Sequence, residues 1–343
     1  MNAQDRGRIV WHELLASDPD GAERFYRGVI GWGIEVSQST PPYRMWTNKG
    51  VPLGGILALP EDAMKMGSPS NWLPYVAVPD VDATVRQATG LGARTYVAPQ
   101  DVPTVGRFSV LADPFGATFA VFTAANHTPG HEGEAEDGEF SWHELATTDW
   151  QAALKFYEAL FGWVRTSAMD MGPAGTYQMF GRNGETLGGI YNKPADVSAP
   201  PHWLSYVRVP NVDTLVAKIT AGGGRIANGP MDVSGYRIVM CVDSQGAAFA
   251  LHAKAAVAAK APSLKSAAKP KPKPKPKPKA KPKAKPKPKP RAKPKAKAKA
   301  RANGQAKLKA RSATKTKSRT KSSTRKKTPT PPGRRAHYRA RRK

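Results

Sequence analysis

The chain has 343 residues, length enough for about two domains of ordinary size. Its net charge of +28 is unevenly held: residues 254–343 carry 36 Lys and Arg with no Asp or Glu, leaving 18 basic and 26 acidic residues in 1–253, a net of −8. One cysteine excludes an intramolecular disulfide, no apolar run is long enough for a membrane span, and Met1-Asn2-Ala3-Gln4-Asp5 does not resemble a signal peptide, so a cytoplasmic protein is expected.

Ile9 to Ala16 is short and apolar and reads as a strand. Asp18-Pro19-Asp20 then supplies a capping side chain and a first-turn proline, Ala22, Phe25, Tyr26, Val29 and Ile30 recur at helical spacing, and Gly31 ends the helix. Trp32 to Val36, Tyr43 to Thr47 and Leu53 to Leu59 follow as three strands, completing one β-α-β-β-β unit. A second unit begins at once. It has a strand at Leu73 to Val78, a helix at Val81 to Leu91 closed by Gly92, and strands at Thr95 to Ala98, Arg107 to Leu111 and Thr118 to Phe122, with Asp113-Pro114-Phe115-Gly116 as the last turn. Residues 124–138 are polar, acidic and glycine-rich and read as a solvated linker, in which His127 and His131 have no metal role.

Beyond the linker the pattern returns. Trp11-His12-Glu13-Leu14, Asp18, Phe25-Tyr26 and Gly31-Trp32 reappear as Trp142-His143-Glu144-Leu145, Asp149, Phe156-Tyr157 and Gly162-Trp163, every pair 131 residues apart. Such an echo is an internal duplication. Leu53-Gly54-Gly55-Ile56 also returns as Leu187-Gly188-Gly189-Ile190, and the turn as Asp243-Ser244-Gln245-Gly246. The lone Cys241, between Met240 and Val242, reads as a buried strand residue. The expected fold is α+β: two tandem domains, at 8–123 and 139–253, each of paired βαβββ modules in a curled mixed sheet with flanking helices, then a disordered basic tail at 254–343. Whether the two domains pair with each other or form a homodimer with a second copy is left open.

A strand leading into Asp-x-x-x-x-x-x-Phe-Tyr, then Gly-Trp, with Asp-Pro-x-Gly before the last strand, resembles the vicinal oxygen chelate superfamily of glyoxalases, bleomycin-resistance proteins and extradiol dioxygenases. The resemblance implies an eight-stranded sheet curled around a cleft. In metalloenzyme members His and Glu ligands on the inner strands hold a divalent metal there. At the corresponding places this sequence has Trp11 and Trp142, Ala120 and Ala250, the Gly54-Gly55 and Gly188-Gly189 pairs, and Leu73 and Leu204. His12 and His143 are one residue late, and strand parity turns them out of the cleft. No metal cofactor is therefore expected. The alternative is a metal-dependent lyase or dioxygenase with His143, His202 and His252 as ligands.

The same parity points Trp11, Glu13, Trp142 and Glu144 inward. A carboxylate beside indoles is costly to bury unless paired or protonated, so Glu13 and Glu144 are expected either to be satisfied by backbone amides or water at the cleft rim, or to meet a cationic or hydroxylated ligand or an arginine such as Arg107. Gly55 and Gly189 suggest close approach of backbone or ligand. Trp32, Trp46, Tyr43, Trp163 and Tyr177 are further candidates for a stacking pocket around a small organic ligand.

The tail alternates Lys and Pro from Lys269 to Pro290 and ends in arginine clusters, resembling linker-histone tails. It lacks the apolar surface to offset ordering entropy. Lys269, Lys271, Lys273, Lys275, Lys277, Arg334, Arg335, Arg341 and Arg342 are candidate contacts to DNA or another polyanion, bound without base reading.

Overall fold

In the computed structural model, residues 5–65, 67–126, 130 and 133–255 are described. The tail beyond residue 255, His127 and His131, and the expectations attached to them, lie outside the described residues. The first domain runs β1 (Ile9–Ala16), α1 (Pro19–Val29), β2 (Gly33–Val36), β3 (Arg44–Asn48), β4 (Val51–Ala58), α2 (Glu61–Lys65), β5 (Asn71–Ala77), α3 (Val81–Gly90), β6 (Arg94–Val102), β7 (Gly106–Ala112) and β8 (Thr118–Ala124). The second runs β9 (Phe140–Thr147), α4 (Trp150–Phe161), β10 (Val164–Asp170), β11 (Thr176–Arg182), β12 (Glu185–Asn192), β13 (His202–Arg208), α5 (Asp213–Ala221), β14 (Arg225–Val233), β15 (Tyr236–Val242) and β16 (Ala248–Lys254). Both sheets have eight strands in the same order, β2-β3-β4-β1-β5-β8-β7-β6 and its counterpart β10-β11-β12-β9-β13-β16-β15-β14. Two βαβββ modules thus join through the central antiparallel pairs β1–β5 and β9–β13.

Helix α1 forms because Ala22, Phe25, Tyr26 and Val29 give one apolar face, all of it buried. Asp18 stands at its N-cap but makes no side-chain cap, contrary to expectation; its backbone N–H is instead bonded by the Gln245 side chain from the second domain at 2.7 Å. Asp149, its counterpart, caps α4 conventionally through the N–H groups of Gln151 and Ala152. Helix α2 buries none of its residues, so hydrophobic periodicity gave no sign of it.

The cores are assembled crosswise. One unites Leu14, Tyr26, Trp32, Trp46 and Trp72 of the first domain with Val207, Leu215, Ile219, Cys241 and Phe249 of the second. The other unites Val76, Leu111, Phe119 and Val121 with Leu145, Phe156, Tyr157, Trp163 and Trp203. The two domains pair with each other, the first module of each packing on the second module of the other. At roughly 1.5–3 kcal/mol for each large apolar side chain buried, this interface is far too costly to open.

The duplicated landmarks are clasps of that interface. Tyr26 donates its hydroxyl to Asp243 at 3.1 Å, and Tyr157 does so to Asp113 at 3.0 Å. Trp72 and Trp203 donate their indole N–H groups to those same hydroxyls at 2.8 and 3.2 Å. Trp32 bonds the carbonyl of Gly138, and Trp163 that of Gly7, each at 2.7 Å. Trp32, Trp46 and Trp163 are therefore core residues rather than pocket walls. The linker is not simply solvated: Gly138 is buried, Glu134 pairs with Arg208 and Lys254, and Lys49 pairs with Glu136.

Candidate ligand clefts

The concave faces of the sheets border one cavity of about 2160 Å³, lined by Trp11, Glu13 and Tyr43 of the first domain and by Trp142, Glu144 and Tyr177 of the second. In each cleft the three side chains form a relay. The Trp11 indole donates to the Tyr43 hydroxyl at 3.1 Å, and that hydroxyl donates to Glu13 at 2.7 Å. Trp142, Tyr177 and Glu144 repeat it at 2.8 and 3.0 Å, and Tyr206 adds a second hydroxyl to the same Glu144 oxygen at 3.2 Å.

The glycine pairs make this possible. Strand pairing sets Gly54 opposite His12 and Gly55 opposite Glu13, with Gly188 and Gly189 opposite His143 and Glu144. A Cβ on Gly55 would collide with the Tyr43 hydroxyl, and one on Gly189 with the Tyr177 ring. Removing those side chains lets each tyrosine lie across the strand and reach its carboxyl. The companion glycines, Gly54 and Gly188, give the same freedom to the His12 and His143 carbonyl oxygens.

Burial dominates the electrostatics. Glu13 and Glu144 are only 3 % and 5 % exposed. Desolvation pushes the Glu13 carboxyl up to about 8 and that of Glu144 to about 7, opposed in part by the tyrosine hydroxyls that favour the charged form. Glu13 Oε1 is buried without a hydrogen-bond partner. Each cleft thus ends in a carboxyl group poised to hold its proton near neutrality and bonded only to aromatic donors.

Arg107 is not part of this arrangement. It lies outside the cleft, bound to Asp82 at 2.7 Å and Asp101 at 3.0 Å, because these two carboxylates offer it a solvated ion pair that the desolvated Glu13 cannot match. Arg237, Asp213 and Asp232 repeat the triad in the second domain.

The histidines proposed as an alternative metal set do not converge. His143 bonds His12, Nε2 to Nε2 at 2.8 Å, across the pseudo-twofold axis between β9 and β1, where strand parity sends both rings. His202 bonds the Pro200 carbonyl at the start of β13, and His252 bonds the Ser141 hydroxyl. Among the described residues no three His, Cys, Asp or Glu side chains are grouped closely enough to hold a metal ion. One carboxyl flanked by tyrosines is a poor donor set for the family's divalent metal, and the residues present in the clefts do not fit it. The tyrosine partners of Glu13 and Glu144 are what sequence reasoning missed. The sequence offers Tyr43 and Tyr177 only as candidates for a stacking pocket, and the glycines opposite them are the available signal.

Paired βαβββ modules, curled around clefts and duplicated in one chain, define a vicinal-oxygen-chelate architecture. Residues 10–122 match the glyoxalase-like domain family, and residues 139–251 match the glyoxalase/bleomycin resistance protein/dioxygenase superfamily. The chain belongs to that superfamily. It is 32 % identical over 250 residues to the "Putative glyoxylase CFP32" of Mycobacterium tuberculosis, covering 72 % of this chain and 94 % of that protein. It is 28 % identical over 258 residues to the anthracycline biosynthesis protein DnrV of Streptomyces peucetius, covering 71 % and 92 %. The fold is shared with the Mn(II)-bound glyoxalase from Novosphingobium aromaticivorans, at a TM-score of 0.51 and 16 % identity over 73 % of this chain and 82 % of that one.

Proposed function

We propose that the body is a binding protein for small organic molecules, working without the superfamily's metal, and that its cationic tail holds it on DNA or another polyanion. The observation that carries the first part is the buried Trp–Tyr–Glu relay at the base of each cleft. A largely apolar cavity with a few convergent polar groups is the usual form of a small-molecule site. A carboxyl held protonated there offers a hydrogen bond to a carbonyl or hydroxyl oxygen without presenting a charge that an apolar ligand would have to desolvate.

The test is a fluorescence titration with an anthracycline as probe, chosen because one relative is named for anthracycline biosynthesis. The indoles of Trp11 and Trp142 border the clefts, so saturable quenching is expected, and the Glu13→Leu plus Glu144→Leu variant, which has no donor to offer, should bind more weakly. A divalent metal that co-purifies in stoichiometric amount, and whose removal abolishes binding, would overturn the metal-free reading. For the tail, the 36 cations in 254–343 predict affinity for DNA that falls steeply with salt and ignores sequence. Ending the chain at residue 255 should abolish retention in a gel shift over a salt series, and equal retention by the shortened chain would refute this role. Association with a nucleoid follows only if the tail behaves in this way.

A further inference from the structure

We propose that the two clefts have diverged, and that the second-domain cleft seats a broad, flat aromatic ligand carrying a carbonyl or hydroxyl oxygen, gripped between walls of methionine. This rests on the reading that the clefts bind small organic molecules and says which cleft takes which kind.

The chain has nine methionines, and Met169, Met171, Met179, Met231 and Met240 all line the second cleft. None of the five is fully buried, although Met240 also packs against the small core cluster of Leu204, Tyr206 and Ala250. They come from both edges of the sheet: Met169 and Met179 stand on β10 and β11, with Met171 just beyond, and Met231 and Met240 stand on β14 and β15. The curl of the sheet brings these edges face to face, since the Ser234 hydroxyl lies 3.8 Å from the Met169 sulfur across 65 residues of sequence. In the first cleft Met45 is the methionine that lines the cavity, and the wall beyond β2 is Ser37-Gln38-Ser39-Thr40-Pro41.

Duplication began with two equal clefts, so this difference is a difference in what each can hold. Methionine is unbranched, its sulfur is polarisable, and it favours contact with aromatic rings while adapting to their outline. A wall of hydroxyls and proline offers neither property. At the base of the second cleft Tyr177 and Tyr206 both donate to Oε2 of Glu144, so Oε1 takes neither hydroxyl and is the atom assigned to a ligand oxygen. Methionine on both edges and one oxygen-seeking group at the floor match a flat hydroxyketone.

The full chain carrying carbon-13-labelled methionine methyl groups, titrated with dihydroxyanthraquinone and followed by NMR, tests this. The resonances of the five cleft methionines should shift together while those of Met45 and Met64 stay in place. Assignment follows from single Met→Leu substitutions. Met169→Ser with Met231→Ser should weaken binding roughly tenfold, with a melting temperature near that of the parent to show that the fold is kept. Shifts centred on Met45, or unchanged affinity in the folded double variant, would overturn the assignment and leave cleft binding standing. No shift anywhere would overturn both.

Discussion

Glu13 and Glu144 keep protons that a solvated carboxylate would have lost. Released near pH 4.5 by the unfolded chain, these protons leave the folded protein only around pH 8 for Glu13 and pH 7 for Glu144. Between those limits the native state binds more protons than the unfolded one, so both residues lower stability as pH rises across the window. Glu13→Gln with Glu144→Gln removes that dependence. The double variant should exceed the parent by roughly 1–3 kcal/mol at pH 8 and lose that advantage near pH 4.5, as read by urea denaturation at a series of pH values. Parallel stability curves for the two proteins would show that the carboxyls are not held neutral. The glycines opposite them make a second case. Gly55→Ala and Gly189→Ala should each cost about 1–3 kcal/mol and weaken ligand binding in the domain concerned, because the added methyl evicts the tyrosine that contacts the carboxyl. Melting and probe titration of each variant check this.

At the level of elements, the first strand of each domain serves two sides. One face of β1 and β9 presents Trp11, Glu13, Trp142 and Glu144 to the clefts, and the other places His12 against His143 at the axis relating the domains. The Phe140 ring stacks on His12 at 3.7 Å, and both imidazoles are buried. Desolvation lowers both rings, His143 to about 4, and His143 further disfavours a charge on His12. A proton can be shared between these nitrogens only while at least one ring is neutral. Both groups therefore support stability fully above their ordinary value of 6.5 and withdraw that support as pH falls below it, His143 through about 4. His12→Gln with His143→Gln should flatten the acid limb of the stability curve below pH 6.5, measured by thermal unfolding. An acid limb identical to the parent's would place the sensitive groups elsewhere.

For the whole molecule, crosswise assembly makes the domains interdependent. Residues 1–138 alone would expose the face of α1 that packs on α5, and with it Tyr26, Trp32 and Trp46, which share a core with Ile219 and Phe249. Each half expressed separately should lack a cooperative unfolding transition, whereas residues 1–255 should melt once, in a single step, by both fluorescence and circular dichroism. Two separable transitions in the intact body would contradict the shared cores.

Much of this was already written in one dimension. The 131-residue echo determined the duplication, and the helix and strand periods determined the βαβββ order, because local hydrophobic spacing reflects which face of an element is buried. Parity along β1 and β9 separates the indoles and carboxyls from the imidazoles that meet each other between the domains, since alternation in a strand is a purely local rule. The cap at Asp18 and the role of Arg107 were misjudged because Gln245, Asp82 and Asp101 are brought to them by the fold. Only tertiary structure decided that Tyr26, Trp32 and Trp163 join the domains, that Tyr43 and Tyr177 meet the carboxyls, and that methionines from both edges of the second sheet line the cavity. Those contacts link residues far apart in the chain, and their partners are chosen by sheet curl and domain packing, for which sequence spacing carries no record.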